Sequence, residues 1–417
     1  MKSYVDTKYK PTSNDLIVEF TVHPKGISVK KAANHIAGES SIDTWSDIQT
    51  LSKSIIKKLK PSVFYIKKNT IKIAYPSALF EMGNIPQIMS SVAGNIFGMK
   101  MLKTLRIEDI QFPKKIINSF KGPRFGIEGI RKLLNVKERP LLGTIIKPKI
   151  GLNSKQHANL AFKSWVGGVD IVKDDENLTN QSFNKFKDRV KLTLKSRNKA
   201  ELITGERKVY MPNITAETNE MLKRMDYIRK MHGRYAMIDI LTTGWSGLQT
   251  VRNHSHGLVL HAHRAGHAAF TKGLNGISML TIAKIARLIG VDQIHVGAIF
   301  GKMTGSKKEV KHIGEEIEDR FVSEKPHVLA QKWYNIKPTF PVCSGGLHPG
   351  LIHPLIDAMG NNIIIQLGGG IHAHPNGTLA GAIAARKALE ASYEGIPLKQ
   401  AEKDYKELRI ALKKWKH

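Results

Sequence analysis

The chain has 417 residues, 41% of them hydrophobic, with 35 glycines, 17 prolines and a single cysteine, Cys343. This ordinary globular composition excludes a disordered, collagen-like or low-complexity protein, a disulfide framework and a cysteine-based zinc site. The 65 Lys and Arg against 35 Asp and Glu leave a net charge of +30, which raises the question of a polyanionic partner. The lysines are spread along the chain, however, and no basic tail or aromatic-and-basic motif gathers them. Nucleic acid is therefore not the expected partner, although a small polyanion would need only a few of these charges. No apolar run is long enough to cross a bilayer, and the polar opening MKSYVDTKYK does not read as a signal peptide. The expectation is a cytoplasmic protein with no membrane association.

From the amino terminus, Leu16–Thr21 reads as a strand and the stretch from Ser28 to Ala37 as a helix. Val63–Ile66 and Ile71–Tyr75 read as two strands across a polar turn, 88–97 as a helix, and Leu105–Phe112 as a strand before Pro113. That order is the ferredoxin-like α+β pattern. A proline- and lysine-bearing stretch, 112–123, reads as the linker, which sets expected domains at 1–122 and 123–417. Beyond it, short apolar strands alternate with amphipathic helices. They start at Leu141, Val169, Val209, Ala236, Leu258, Gln293, Phe340 and Ile363, and a helix spans Ser278–Ile289. Eight such units over about 250 residues predict a (β/α)8 TIM barrel. An open doubly wound sheet is the rival, but no dinucleotide fingerprint follows the first strand. The charged stretch Leu398–Trp415 reads as a closing helix.

Barrel chemistry sits at the carboxyl ends of the strands. Those ends carry Lys147 and Lys149; Lys173, Asp175 and Glu176; Asn213; His261, His263, Arg264 and His267; His295 and the loop Gly301–Gly305; Ser344-Gly345-Gly346; and Gly368-Gly369-Gly370. Strand alternation turns Lys173 and Asp175 the same way, and Glu176 can fold back beside them. Two carboxylates suit Mg²⁺, and a lysine carbamylated by CO₂ would add a third anionic oxygen. A plain Lys–Asp ion pair at a loop is the simpler reading of this motif alone. The glycine turns after the last two strands suit a phosphate held by backbone N–H groups, or simply connect βα units. The histidine–arginine cluster reads either as a structural network or as an anion clamp centred on Arg264. Gly301-Lys302-Met303-Thr304-Gly305 reads as a hinged lid carrying a lysine, or as a surface turn.

Taken in order, the segments 39–45, 94–98, 143–149, 167–176, 261–267, 301–302, 344–346 and 368–370 resemble ribulose-1,5-bisphosphate carboxylase/oxygenase (RuBisCO) large subunits along nearly the whole chain. The archaeal form III enzymes are the most similar kind. The resemblance implies a Mg²⁺-dependent carboxylase that enolises ribulose 1,5-bisphosphate, adds CO₂ and releases two 3-phosphoglycerates, with oxygenation as the competing reaction. It further implies a role in AMP and nucleoside salvage. Activating CO₂ would form the carbamate on Lys173, which with Asp175 and Glu176 would hold the metal and act as base. Lys147 would be the acid/base of the final protonation, Lys149 would support the metal site, and His263 would assist proton transfer. Lys302 would stabilise the new carboxylate. Arg264 and His295 would bind one phosphate; Thr44, Trp45, Gly345, Gly368 and Gly369 would bind the other; Ser344 would contact the sugar chain. Glu39 and Asn95 would reach the site of a second subunit, which makes a homodimer the catalytic unit, with a higher oligomer of dimers open and no small subunit expected.

Three positions depart from the family pattern: Thr304 replaces a lid glutamate, Asp43 a glycine beside Thr44, and Ala298-Ile299-Phe300 a less bulky segment. The alternative is a RuBisCO-like enolase that acts on a related sugar phosphate without carboxylation. Retention of Lys302, Asn95, Arg264, His295 and both glycine turns argues against it.

Overall fold

Residues alternate along Asp15–Pro24 (β1) so that Leu16, Val18, Phe20 and Val22 share one face, and all four are fully buried. In the computed structural model, which describes residues 3–44, 50–300 and 306–416, β1 is the centre of an antiparallel sheet. It pairs with Thr70–Pro76 (β3) and Leu102–Gln111 (β4), and Ser62–Lys67 (β2) pairs with β3. The resulting order β4-β1-β3-β2 is the expected ferredoxin-like arrangement, extended at β4 by the short parallel strand Gly276–Ile277. The helix Val29–Glu39 is capped by Ser28, whose hydroxyl accepts from Lys31 N–H, and it buries Ala32, Ala33, Ile36 and Ala37.

The second helix differs from expectation. It runs Ile85–Val92 under an Asn84 cap and stops, and Asn95–Gly98 forms a separate 3₁₀ turn. Gly94, at φ −86° and ψ −126°, has left helical geometry, and a Cβ there would strike the Ser90 carbonyl. A further short helix, Lys53–Leu59, was not legible from the apolar pattern, because none of its residues is buried.

This first compact unit comprises Met1–Gly122 together with Gly266–Ile289 and Asp319–Lys337, two segments that chain order alone assigned to the barrel. Its helix Met279–Ile289 is buried along all 11 residues. Two cations in it find partners inside the unit. Lys284 Nζ lies 2.9 Å from Asp109 Oδ1, and the Arg287 guanidinium sits 4.3 Å over the Trp333 ring and donates to the Asp319 carbonyl.

The second unit comprises Pro123–Ala265, Gly290–Glu318 and Pro338–His417. Its eight parallel strands are Leu141–Ile145, Ile171–Lys173, Val209–Met211, Tyr235–Asp239, Val259–His263, Gln293–Gly297, Phe340–Ser344 and Ile364–Leu367, here barrel strands 1 to 8. They hydrogen-bond in the order 3-2-1-8-7-6-5-4. Bonds from Met237 N–H to the Pro212 carbonyl (2.9 Å) and from Ile214 N–H to the Met237 carbonyl (3.0 Å) bring strands 3 and 4 together and close the ring. The amino-terminal end is plugged. Ile127, Ile130 and Leu134 of the helix Gly126–Leu134 pack on Leu141, Ile171, Val209, Tyr235, Phe340 and Ile364. The closing helix is two, Leu398–Asp404 and Lys406–Lys414, separated by extended backbone at Tyr405. Among the described residues no helix is long and apolar enough to cross a membrane.

Candidate active site

Barrel strand 2 ends in Lys173, and Asp174 and Asp175 beyond it keep the strand alternation. Lys173 is fully buried and its Nζ donates to the Asp174 carbonyl at 2.7 Å. Burial moves its ammonium pKa down from the usual lysine range. Asp175 turns to the same side. Its Oδ2 accepts from Lys147 Nζ at 2.6 Å, and its Oδ1 from Asn177 N (3.2 Å) and Nδ2 (3.1 Å). Burial raises the Asp175 carboxyl, but the Lys147 hydrogen bond and charge outweigh it and hold the group ionised. Glu176 does fold back. Lys149 Nζ lies 3.4 Å from its Oε1, and His263 Nε2 lies 3.7 Å from its Oε2. Asn213 secures the turn by donating to the Glu176 carbonyl at 3.0 Å.

Asp174 alternates to the other side and is structural. It accepts from Arg189 Nε (3.0 Å), Tyr210 Oη (2.7 Å) and Asn213 N–H (3.0 Å), all within the core.

Strands 5 and 6 supply the imidazoles. His263 Nδ1 bonds Asp239 Oδ1 at 2.7 Å, so Asp239 at the end of strand 4 orients the ring. Asp239 was missing from the sequence-predicted set, although it lies where a strand-end carboxylate should be sought. His261 and His295 face each other, Nε2 to Nε2, at 2.9 Å, and His295 Nδ1 lies 2.7 Å from Ser344 Oγ. Both are buried, and burial pulls both well below the ordinary histidine range, so both are neutral. Burial pulls the Arg264 guanidinium down to about 10, which leaves it cationic near neutral pH. Gly297 makes room for it: at φ +113°, a Cβ there would lie 2.9 Å from Arg264 Nη2.

The glycine turns take the expected places. Gly345 follows strand 7 at φ +115°, and Gly368 and Gly369 follow strand 8. A Cβ on Gly368 would come within 3.0 Å of Lys147 Cε, so this glycine admits the lysine stem.

In the first unit, Asn95 Nδ2 stands 3.5 Å from Glu39 Oε1, and Thr44 N–H bonds Asp43 Oδ1 at 2.9 Å. Asp43 also accepts from Tyr4 Oη at 2.8 Å, which gives the replacement for the family glycine a local partner. His267 bonds Thr271 Oγ1 at 3.0 Å in the same unit. Trp45, Lys302 and Thr304 lie outside the described residues.

Two open basic concavities lie away from this site, at the amino-terminal ends of strands 2 to 4. One, of about 600 Å³, is lined by Arg139, Asp170 and Arg386. The other, of about 520 Å³, is lined by Arg197, Arg207 and Arg234.

The chain that carries this buried lysine, two carboxylates and two further lysines at a barrel mouth matches one family along nearly its whole length. The ribulose bisphosphate carboxylase large chain models match at residues 126–415 for the catalytic domain and 3–116 for the N-terminal domain. The chain belongs to the ribulose bisphosphate carboxylase large-chain family. The ribulose bisphosphate carboxylase of Methanosarcina mazei is 51% identical, with 99% of each chain covered. The dimeric archaeal RuBisCO of Hyperthermus butylicus superposes with a TM-score of 0.93 at 42% identity, over 99% of this chain and 98% of that one. The octameric RuBisCO of Pyrococcus horikoshii does so at 0.92 and 45% identity, over 99% and 96%. The RuBisCO fold of ferredoxin-like and barrel units is thus common to all three, and nothing in these relatives supports the enolase alternative.

Proposed function

We propose that this chain is a ribulose-1,5-bisphosphate carboxylase that works with Mg²⁺ and a carbamate on Lys173. The observation that carries the reading is the group Lys173, Asp175 and Glu176, with Lys147 at 2.6 Å from Asp175, at the open end of the barrel. The donor set fits a metal only once Lys173 is modified. Two carboxylates are at hand, and among the described residues no three His, Cys, Asp or Glu side chains form a metal-holding group. Addition of CO₂ to the neutral Lys173 amine, with loss of a proton, supplies the missing anionic oxygen.

Asp175, Glu176 and the carbamate of Lys173 would hold Mg²⁺, which would supply Lewis-acid polarisation of a substrate carbonyl. Lys173, as its carbamate, takes the C3 proton. His263, with Nδ1 held by Asp239, turns Nε2 toward the mouth, where it receives and returns the proton of a substrate hydroxyl. Lys147 gives the last proton to the three-carbon product, and Lys149 supports Glu176. Lys302 stabilises the carboxylate formed from CO₂. Arg264 and the neighbouring His295 receive one phosphate, and Thr44, Trp45, Gly345, Gly368 and Gly369 the other. Glu39 and Asn95 serve the site of a neighbouring subunit, so the catalytic unit is a dimer. The dimeric and octameric archaeal relatives support an assembly built on such pairs.

The test is fixation of labelled bicarbonate after preincubation with Mg²⁺ and CO₂, followed by ribulose bisphosphate. Labelled 3-phosphoglycerate is expected. Exchange of the C3 proton without label would move the assignment to an enolase, and neither signal would overturn both. Within the same assay, Gly297→Ala is expected to push the Arg264 guanidinium out of place and raise the KM for ribulose bisphosphate about tenfold or more. A KM within twofold of the parent would remove Arg264 from the phosphate site.

A further inference from the structure

The two concavities at the amino-terminal end of the barrel adjoin and share Arg207, yet their charges are answered differently. In the first, Arg139 Nη1 meets Asp170 Oδ2 at 2.7 Å, and Arg386 reaches Glu206 Oε1 at 3.0 Å and Glu390 Oε1 at 2.6 Å. Those two arginines are spent on carboxylates. In the second, of about 520 Å³, Lys132, Arg197, Arg207, Lys208 and Arg234 line a space whose one lining carboxylate, among the described residues, is Glu201.

Two of these charged groups are already engaged. Lys208 is buried, and its Nζ lies 3.0 Å from the Val169 carbonyl and 2.6 Å from Glu206 Oε2. Glu201 Oε1 accepts from Lys208 N–H at 2.8 Å. Arg197 donates from Nε (3.1 Å) and Nη2 (2.7 Å) to a neutral oxygen, Asn198 Oδ1. Arg207 and Arg234 are exposed, and among the described residues neither guanidinium has a hydrogen bond or an ion pair. Burial draws the Arg197 guanidinium below its usual range; the Arg234 and Arg207 charges draw it further, and Glu201 opposes them. The three guanidiniums are therefore within electrostatic reach of one another. A cation at a helix carboxyl end is stabilising by itself, but the helix ends here close on their own backbone. Gly205 N–H bonds the Glu201 carbonyl at 2.9 Å, and Gly233 N–H the Ile228 carbonyl at 2.8 Å.

We propose that this concavity is a binding site for a compact anion carrying two or more linked phosphates, held by the guanidinium forks of Arg197, Arg207 and Arg234. A planar guanidinium fork matches phosphate oxygens two at a time. Three such cations beside one engaged carboxylate repel one another until an anion joins them. A hollow also focuses their field more than a flat surface of equal charge. Its volume lies in the range of small-ligand sites and leaves room for more than one phosphate. The spread-out +30 charge of the chain does not account for it, since the adjoining concavity on the same face has Arg139 and Arg386 paired. The site stands at the opposite end of the barrel from Lys173, so it holds whether or not the mouth takes ribulose bisphosphate.

Inorganic triphosphate is the probe, titrated by calorimetry into the full magnesium-free chain at about 0.1 M salt, with saturating ribulose bisphosphate present to fill the mouth. One triphosphate per chain is expected. Arg207→Gln/Arg234→Gln changes exposed side chains and should weaken binding about tenfold or more. Lys191→Gln/Lys195→Gln on the helix Phe186–Thr204 removes the same charge from exposed positions that do not line the concavity. It should bind within about twofold of the parent. Arg207→Lys/Arg234→Lys keeps the charge and loses the fork, and about threefold weaker binding is expected even if the glutamine variant melts early. No triphosphate uptake by the parent, or equal weakening in the arginine-to-glutamine and lysine-to-glutamine variants, would overturn the site. Orthophosphate bound as tightly as triphosphate would overturn the linked-phosphate assignment, and parent-like binding by the lysine-for-arginine variant would overturn the role of the forks.

Discussion

Lys173→Met is expected to lower carboxylation by about a thousandfold or more while leaving the magnesium-free protein at least as heat-stable as the parent. The two halves follow from one feature. The amine is fully buried, with one hydrogen bond at 2.7 Å to the Asp174 carbonyl, so it retains donors it cannot satisfy in the uncarbamylated state. An unbranched apolar side chain of similar length removes that cost, in the way functional sites commonly trade stability for activity. It also removes the buried amine placed to capture CO₂ beside Asp175 and Glu176. Burial shifts the Lys173 pKa down, so the neutral, reactive amine is populated at lower pH than for an exposed lysine, and carbamate formation should fall off as pH drops through the shifted value. Trapping of labelled CO₂ on the protein, the carboxylase assay and thermal denaturation without Mg²⁺ check these points together. Activity above about one per cent of the parent would sink the assignment of Lys173 as the carbamylated base. A large fall in melting temperature would show instead that the lysine supports the fold.

The strands of the barrel were legible because each is a short apolar run ended by a polar or glycine residue, and a parallel sheet buried on both faces requires that pattern. The site was legible for the same reason. Once the strand ends are fixed, alternation decides that Lys173 and Asp175 face the mouth. What chain order could not supply was long-range packing. The helix Met279–Ile289 reads as an ordinary amphipathic barrel helix, yet every one of its residues is buried and its Lys284 is answered by Asp109 far away in sequence. The break after Val92 turns on a single glycine whose backbone lies against the preceding turn, and apolar periodicity does not register it. Asp239 was invisible beside His263 because its meaning depends on a cross-strand neighbour. The two pair through the register of adjacent strands, and no spacing along the chain encodes that.

Asp174 and Asp175 are neighbours of the same type whose substitutions should have opposite signatures. Asp174 is fully buried and accepts from Arg189, Tyr210 and Asn213, and His157 Nε2 lies 3.1 Å from its Oδ1. Arg189 is itself fully buried, with its remaining donors on the carbonyls of Asn184 (2.9 Å) and Thr179 (2.6 Å). Asp174→Ala leaves that guanidinium charged without a counter-ion, a change expected to cost about 3–5 kcal/mol and on the order of 10 °C in melting temperature. Asp175→Asn leaves the Arg189 ion pair intact. It should melt close to the parent yet lose carboxylation and Mg²⁺-dependent retention of the carbamate.

The acid limb of stability adds a second reading of the same pair. Burial pushes the Asp174 carboxyl up, but Arg189 and His157 pull it well below the ordinary aspartate range. Its folded pKa therefore lies under its unfolded value of about 3.9. The stability it contributes is complete above that unfolded value and is lost as pH falls toward the folded one. Denaturation followed between about pH 5 and pH 2.5 should show a shallower decline in Asp174→Ala than in the parent, while Asp175→Asn should follow the parent more closely. Equal slopes for Asp174→Ala and the parent would mean that the buried carboxylate does not hold Arg189 as an ion pair, and the division between a structural and a catalytic aspartate would fail with it.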